Sequence, residues 1–385
     1  MSKHVLRPIL SGGLRLSQEA LIHGRAGVSG LVSSGKPRVV FLPSKGREGS
    51  ALLRQWAIAP ALGAFGWSAF VMPPRLGLAQ RHRLLSAIAP DVVVMQGSRH
   101  PLNDPSLYPG RTILYDMDDA DFRIPHLAQK VQAAMSGIEG VIAGSRHVAR
   151  WCLAHGAPSA EVVWTGTPVS RGSRPPQAGR GPIMAWAQTR PDTYIRERAM
   201  VLRLVEVLAP RHPDLRLRLY DRRSWQDDSL LAPFRAAGIT VEWTKKARYS
   251  DYLKSFDDVA LGLSPIATET PFSRGKSFGK VLAYLDRKVP VIASDAADHA
   301  LFFTPDTGVI TNDPALWVDE ADRLLRDHSA RQAMVDAAHV AFRARLSIEA
   351  AAGQLSVCLD AARAGAPGRR RPKRVDRGMA VYRSA

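Results

Sequence analysis

Short apolar runs alternate with amphipathic helical segments from residue 38 to residue 169, and the alternation resumes at residue 182. Arg38-Val-Val-Phe-Leu42 reads as the first strand, closed by the turn Pro43-Ser-Lys-Gly46 and followed by a helical run from about Ser50 to Ala64. Gly66–Met72 is a second strand, stopped by Pro73-Pro74, and Leu78–Ile88 has helical spacing. Strands at Asp91–Met95, Arg111–Tyr115, Gly140–Ser145 and Glu161–Trp164 follow, with helices at about Pro125–Ser136 and His147–His155 between them. Continuously apolar strands separated by helices belong to parallel sheets covered on both faces.

Residues 170–181 are rich in Gly, Pro, Ser and Arg and read as a linker. The second series has strands at Pro182–Trp186, Leu215–Tyr220, Ile239–Trp243, Val259–Leu263, Val289–Ala293 and Gly308–Ile310, with a helix at Tyr194–Ala209. From Trp317 to about Ala361 the pattern is mostly helical. The prediction is an α/β chain of two Rossmann-like domains whose parallel sheets face each other across a cleft, with ligands at the carboxyl ends of the strands. Its parts are an N-terminal extension (1–36), a first domain (37–169), the linker, a second domain (182–345), a C-terminal helix (346–365) and a basic disordered tail (366–385).

Charge changes this picture more than size does. The 385 residues carry a formal net charge of +18. The tail holds seven basic residues against Asp376, a net +6 that leaves +12 for the rest. Such a balance suits a phosphorylated ligand or an acidic membrane surface, or serves solubility alone. No nucleic-acid recognition motif accompanies it. Cys152 and Cys358 form no CxxC pair, which speaks for a reducing compartment and against a cysteine metal site. Neither a membrane span nor a signal peptide is evident, so the expected location is cytoplasmic, with peripheral contact at the inner face of the plasma membrane.

The densest chemistry lies in Phe272-Ser-Arg-Gly-Lys-Ser-Phe-Gly-Lys280, which leads through an apolar helix into the buried strand Val289–Ala293. Arg274, Lys276 and Lys280 supply positive charge, and Gly275 lets backbone approach a ligand closely. If the helix begins before Lys276 the two lysines share a face; if it begins later, Lys276 lies on the preceding loop. Either arrangement can hold a diphosphate. On the first domain, Asp116, Asp118 and Asp119 end a strand on the cleft side and can serve as a general base or orient a hydroxyl. His100 follows the strand at 91–95 and could reach the same cleft. Arg190 and Ser264 follow strands of the second domain, as a phosphate contact and a nucleoside contact.

Together these runs resemble the GT-B glycosyltransferases, closest to the retaining family 4 (glycosyl transferases group 1). The likeness rests on Ala260-Leu-Gly-Leu-Ser-Pro265, Lys276, Lys280 and Val289-Pro-Val-Ile-Ala-Ser294, and on Tyr115-Asp-Met-Asp-Asp119, Val141–Ser145 and Val163–Pro168. It covers roughly residues 38–345. It implies transfer of a sugar from a nucleotide-diphosphate sugar to a cell-envelope glycan, lipid-linked or protein acceptor, with no metal and no further cofactor. Family members carry a glutamate for the donor ribose where this chain has Ala283, and a glycine where it has Lys288. The alternative is a catalytically degenerate GT-B protein that binds a glycan or partner protein.

Deleting residues 366–385 is expected to reduce binding to anionic liposomes while leaving nucleotide binding intact. Equal co-sedimentation of the full and shortened chains would refute a membrane role for the tail.

Overall fold

The computed structural model describes residues 17–22, 24, 35–97, 99–223 and 226–365. The basic tail and most of the N-terminal extension lie outside them. Residues 17–22 are helical. Glu19 fastens this turn to the helix Leu78–Ile88 by accepting from Gln80 and Arg83.

Two six-stranded parallel sheets form the body. The first comprises β1 (Arg38–Leu42), β2 (Ser68–Val71), β3 (Val92–Gln96), β4 (Ile113–Met117), β5 (Gly140–Ala143) and β6 (Ala160–Val162), in the order β2-β1-β3-β4-β5-β6. The second comprises β7 (Ile183–Trp186), β8 (Arg216–Tyr220), β9 (Thr240–Thr244), β10 (Leu261–Ser264), β11 (Val291–Ala293) and β12 (Val309–Ile310), in the order β12-β11-β10-β7-β8-β9. Strand order reverses beside β1 in one sheet and beside β7 in the other. Parallel sheets open a crevice at such a point, outside the strand carboxyl ends. The two Rossmann-like domains thus face each other across a cleft, as the apolar pattern predicts.

The central strands β3, β4 and β10 are buried throughout, which is why they read as unbroken apolar runs. Gly262 in β10 is fixed by packing. A Cβ there would lie 2.6 Å from the ring of buried Tyr284, whose hydroxyl bonds to Ala187 N and Ala185 O of the neighbouring strand end.

The helical run after β1 differs from a plain α-helix. Between Gly49–Ala51 and Ile58–Ala61 the backbone widens into a π-helical stretch, Leu52–Ala57. The wide turn lets two consecutive polar residues face inward. Arg54 donates through Nε and Nη2 to Asp116 Oδ1 at 2.8 and 2.5 Å, and Gln55 Nε2 donates to Asp116 Oδ2 at 2.8 Å. Arg54 also reaches the Val163 carbonyl at 2.8 Å and Thr165 Oγ1 at 3.1 Å. One guanidinium therefore joins this helix to β4 and to the segment after β6.

The chain crosses between domains twice, side by side. Thr167 N donates to Leu346 O, and Ile348 N donates to Thr167 O. The glycine at 166 is required by this approach, since a Cβ would lie 2.6 Å from Ser347 O and 2.8 Å from Ala351 Cβ. After the second crossing the helix Ile348–Gly365 returns to the first domain. Ile348, Ala351, Ala352, Leu355 and Leu359 pack there against Val39, Phe41, Val92 and Val94.

Asp116→Ala strips Arg54 of its hydrogen-bonded carboxylate and leaves it only Asp118 at 3.9 Å, so it is expected to cost up to about 3–5 kcal/mol of stability. Chemical denaturation checks this; a loss below about 1 kcal/mol would show that the pair does not hold the helix to β4.

Candidate functional site

Both walls of the cleft are strand ends. Beyond β4 the chain turns through Asp118 and Asp119. On the opposite wall the basic segment is not one helix. It runs as a short helix Pro271–Arg274, a 3-10 turn Phe278–Lys280 and a helix Leu282–Asp286. Lys276 lies on the link before the 3-10 turn and Lys280 closes that turn, so they do not share a helical face. Lys288 has φ +54°, a left-handed conformation that favours glycine.

Lys276 is buried, with Nζ 2.6 Å from the Tyr194 hydroxyl and within 4.1 and 5.2 Å of the Tyr194 and Phe272 ring centroids. Lys280 is part-exposed but crowded by protein. Desolvation, helped by the charge of Lys276, pushes its pKa down to about 7, while Asp119 and Asp118 pull the other way. Asp118 is pushed up to about 6 by burial and by Asp119; Arg54, the Thr165 hydroxyl and the Ser277 hydroxyl oppose the rise. Thr165 Oγ1 donates to it at 2.8 Å. Two acids from one domain and two lysines from the other thus occupy one electrostatic environment, bridged by Ser277.

The walls meet closely. A Cβ on Gly275 would lie 2.4 Å from Ala120 Cβ and 3.1 Å from His147 Cδ2, so only glycine allows this contact. Asp298, in a left-handed conformation at φ +62°, accepts from Arg146 N at 2.8 Å and from Trp164 Nε1 at 3.2 Å. Arg146 opens the helix Arg146–Ala154, whose N-terminus is also capped by Ser145. A carboxylate from the second domain therefore sits at a helix N-terminus of the first, where negative charge is favoured.

Several expected site residues are already engaged by neighbouring groups. Both oxygens of Asp116 are consumed by Arg54 and Gln55, and the residue is 2% exposed, so it anchors the domain rather than facing the cleft. Both His100 nitrogens are engaged: Nε2 lies 3.0 Å from the Pro74 carbonyl, and Nδ1 accepts from Leu102 N. Burial and nearby Arg81 lower its pKa, and it braces its own loop. Arg190 follows β7 but grips Asp192 with Nε at 3.0 Å and Nη2 at 2.8 Å. Arg274 is exposed and donates to Thr268 O. Ser264 ends β10 buried, its hydroxyl without a hydrogen bond among the described residues.

Other contributors carried no obvious motif. Tyr194 positions Lys276, while Thr165 and Ser277 address Asp118. Glu197 is 3% exposed, and its Oε1 accepts from Ser273 Oγ at 2.6 Å and Ala267 N at 3.2 Å. A sequence signal for Glu197 exists. It occupies the buried stripe 197, 201, 204, 205, 208 of the helix Ile195–Leu208, where every other member is Val or Leu. Among the described residues, no group of three or more His, Cys, Asp or Glu side chains is placed to hold a metal ion.

No protein-family model matches the chain, and no curated protein matches it by sequence. Solved structures do match. Anabaena Alr3699/HepE in complex with UDP and glucose aligns over 85% of this chain and 100% of its own, with TM-score 0.62 and 13% identity. The sucrose-phosphate synthase tll1590 from Thermosynechococcus elongatus aligns over 85% and 100%, with TM-score 0.62 and 12% identity. TarM of S. aureus aligns over 74% of this chain, which spans 58% of the TarM chain, with TM-score 0.56 and 12% identity. At these identities the likeness shows the fold, which is GT-B.

A diphosphate bound beside Lys280 would favour its protonated form and raise its pKa above about 7. Binding then takes up a proton, so nucleoside diphosphate affinity is expected to fall from about pH 7.5 to 9, by roughly tenfold per unit at most. Lys280→Arg stays charged and should flatten the profile. Calorimetry across that range checks it; a flat wild-type profile would place the anion away from Lys280.

Proposed function

We propose that this chain is a glycosyltransferase, closest to the retaining glycosyl transferases group 1, moving a sugar from a nucleotide-diphosphate sugar to a cell-envelope glycan. The acceptor is a lipid-linked or protein-bound chain. The observation that carries this reading is the facing of Lys276 and Lys280 on one cleft wall with Asp118 and Asp119 on the other. The fold it shares with HepE, whose structure holds UDP and glucose, supports it.

The chemistry follows from charge placement. As the bond from the anomeric carbon to the phosphate oxygen breaks, negative charge grows on the leaving diphosphate. Fixed cations stabilise that charge more than they stabilise the ground state. Lys276 is held ready by Tyr194, and Lys280, desolvated and without a salt bridge among the described residues, is held protonated by a diphosphate placed beside it. Across the cleft, Asp118 at about 6 is mostly ionised at neutral pH and accepts protons readily. With Asp119 it orients the acceptor hydroxyl. We assign the protein to the cytoplasmic face of the membrane, its basic tail toward acidic lipids.

One observation favours a second reading, a GT-B protein that binds a glycan or partner without transfer. Ala283, where related enzymes carry an acidic ribose contact, is 2% exposed within an apolar cluster. Donor turnover separates the two.

Calorimetry and donor hydrolysis against UDP-, GDP-, dTDP-, ADP- and CMP-linked sugars test the proposal. One class of donor is expected to bind selectively, and Lys276→Ala and Lys280→Ala should each weaken it by about 10-fold or more without unfolding the domain. Unchanged affinity in both variants would sink the assignment, and tight binding with no turnover in the presence of acceptor extracts would favour the non-transferring protein.

A further inference from the structure

A cavity of about 470 Å³ opens beside the two rings that flank Lys276, lined by Ile124 of the first domain and by Thr193, Tyr194, Glu197, Thr270 and Phe272 of the second, among others. This volume lies in the range of about 300–1,000 Å³ that small-molecule sites occupy. Its wall includes Glu197, a residue 3% exposed. Oε1 is held by Ser273 and Ala267 N, while Oε2 accepts no hydrogen bond from the described residues. No salt bridge neutralises Glu197 among them. Oε2 is not among the fully enclosed atoms that lack a partner, so it keeps an opening through which a ligand hydroxyl can donate to a charged acceptor.

We propose that Glu197 Oε2 is the acceptor for a vicinal diol of the bound sugar nucleotide. This rests on the glycosyltransferase reading above. A carboxylate oxygen can take two hydroxyl donors at once, and charged acceptors make the stronger hydrogen bonds. The neighbours suit a sugar: Thr193 and Thr270 add hydroxyls, and the Phe272 and Tyr194 rings offer flat apolar faces. Those same rings flank Lys276 Nζ, at 5.2 and 4.1 Å from their centroids. The diol site therefore adjoins the diphosphate site, as the sugars on either side of a diphosphate require. Ala283, packed in the apolar core, cannot make this contact. The fixed bonds to Ser273 and Ala267 N preorganise the carboxylate, so little ordering cost is left to binding.

Glu197→Gln is the discriminating change. Its amide oxygen keeps the bonds to Ser273 and Ala267 N, while the outward atom becomes an NH2 donor that cannot accept a hydroxyl. The probes are the best-binding nucleoside diphosphate, its 2′-deoxy analogue and the matching nucleotide sugar, each titrated into wild type, Glu197→Gln and Lys280→Ala. For a ribose diol, the wild type should prefer the ribonucleotide to the deoxynucleotide by about 10–100-fold, and Glu197→Gln should erase that preference. For a diol on the transferred sugar, the variant should instead erase the gain of the nucleotide sugar over the bare diphosphate. Lys280→Ala should weaken all three probes alike. If wild type and Glu197→Gln bind every probe equally, the diol site is overturned while the donor cleft stands. If no diphosphate binds the wild type, the glycosyltransferase reading fails, and this inference with it. The ribo-to-deoxy comparison in the wild type needs no variant, so a folding defect in Glu197→Gln would not rescue the idea.

Discussion

The Arg54 guanidinium is the hub on which the first wall of the cleft depends. It is buried, it bonds both Asp116 and the Val163 carbonyl, and it lies 3.9 Å from Asp118. The helix after β1, the end of β4 and the segment after β6 are thereby tied to one planar group. Its charge also reaches the functional acids. Arg54 holds back the rise that burial and Asp119 impose on Asp118, and so helps keep that carboxyl ionised. A structural ion pair and a reactive carboxyl thus share one cation. That sharing places the reactive group on a rigid strand end instead of a free loop.

Buried arginines recur in other places, without carboxylate partners. Arg81 is wholly buried and donates to the carbonyls of Leu76 and Pro74, to Asn103 Oδ1 and to the Tyr108 hydroxyl. Arg180 gathers the carbonyls of Val259 and Arg287, and burial pushes its pKa down to about 10. Arg331 collects those of Leu324 and Leu325 at the end of the helix Pro314–Arg326, where carbonyls are left over and carry partial negative charge. These side chains serve as carbonyl clamps. Part of the +12 assigned to the body of the chain is therefore internal and presents no surface to a lipid or nucleic acid.

The fold was legible because parallel strands buried on both faces leave unbroken apolar runs, as in β3, β4 and β10, while β8 at Arg216–Tyr220 shows itself by alternation instead. What pattern could not supply was strand order, since pairing partners far apart in sequence leave no local trace. The candidate site was legible only where residues cluster in sequence, as in the segment Phe272–Lys280. Lys276 could not be assigned to helix or loop, because Gly275 and Gly279 on either side of it are compatible with both, and what fixes Gly275 is its contact with Ala120 and His147, far away in sequence. Asp116 and Asp118 are identical in type and two residues apart, yet Asp116 lies within β4 and is taken up by Arg54 and Gln55, while Asp118 lies just past the strand end, where the backbone has left the pleat. The polar pair Arg54-Gln55 inside Leu-Leu-Arg-Gln-Trp-Ala was the unused clue to that difference. Glu197 likewise interrupts an apolar stripe, and a charge in such a place calls for a partner.

The return of the helix Ile348–Gly365 to the first domain has a consequence for how the chain is made. Leu355 and Leu359 complete the apolar layer over Val39, Phe41, Val92 and Val94, so β1 and β3 must wait for a helix made after the whole second sheet. The second domain, by contrast, draws its sheet from one uninterrupted stretch, residues 183–310. During synthesis the later domain can close its core before the earlier one. Until then, one face of β1 and β3 is covered only in part, by Ile58, Leu62 and Trp67, and the remainder stays open to solvent and to other nascent chains.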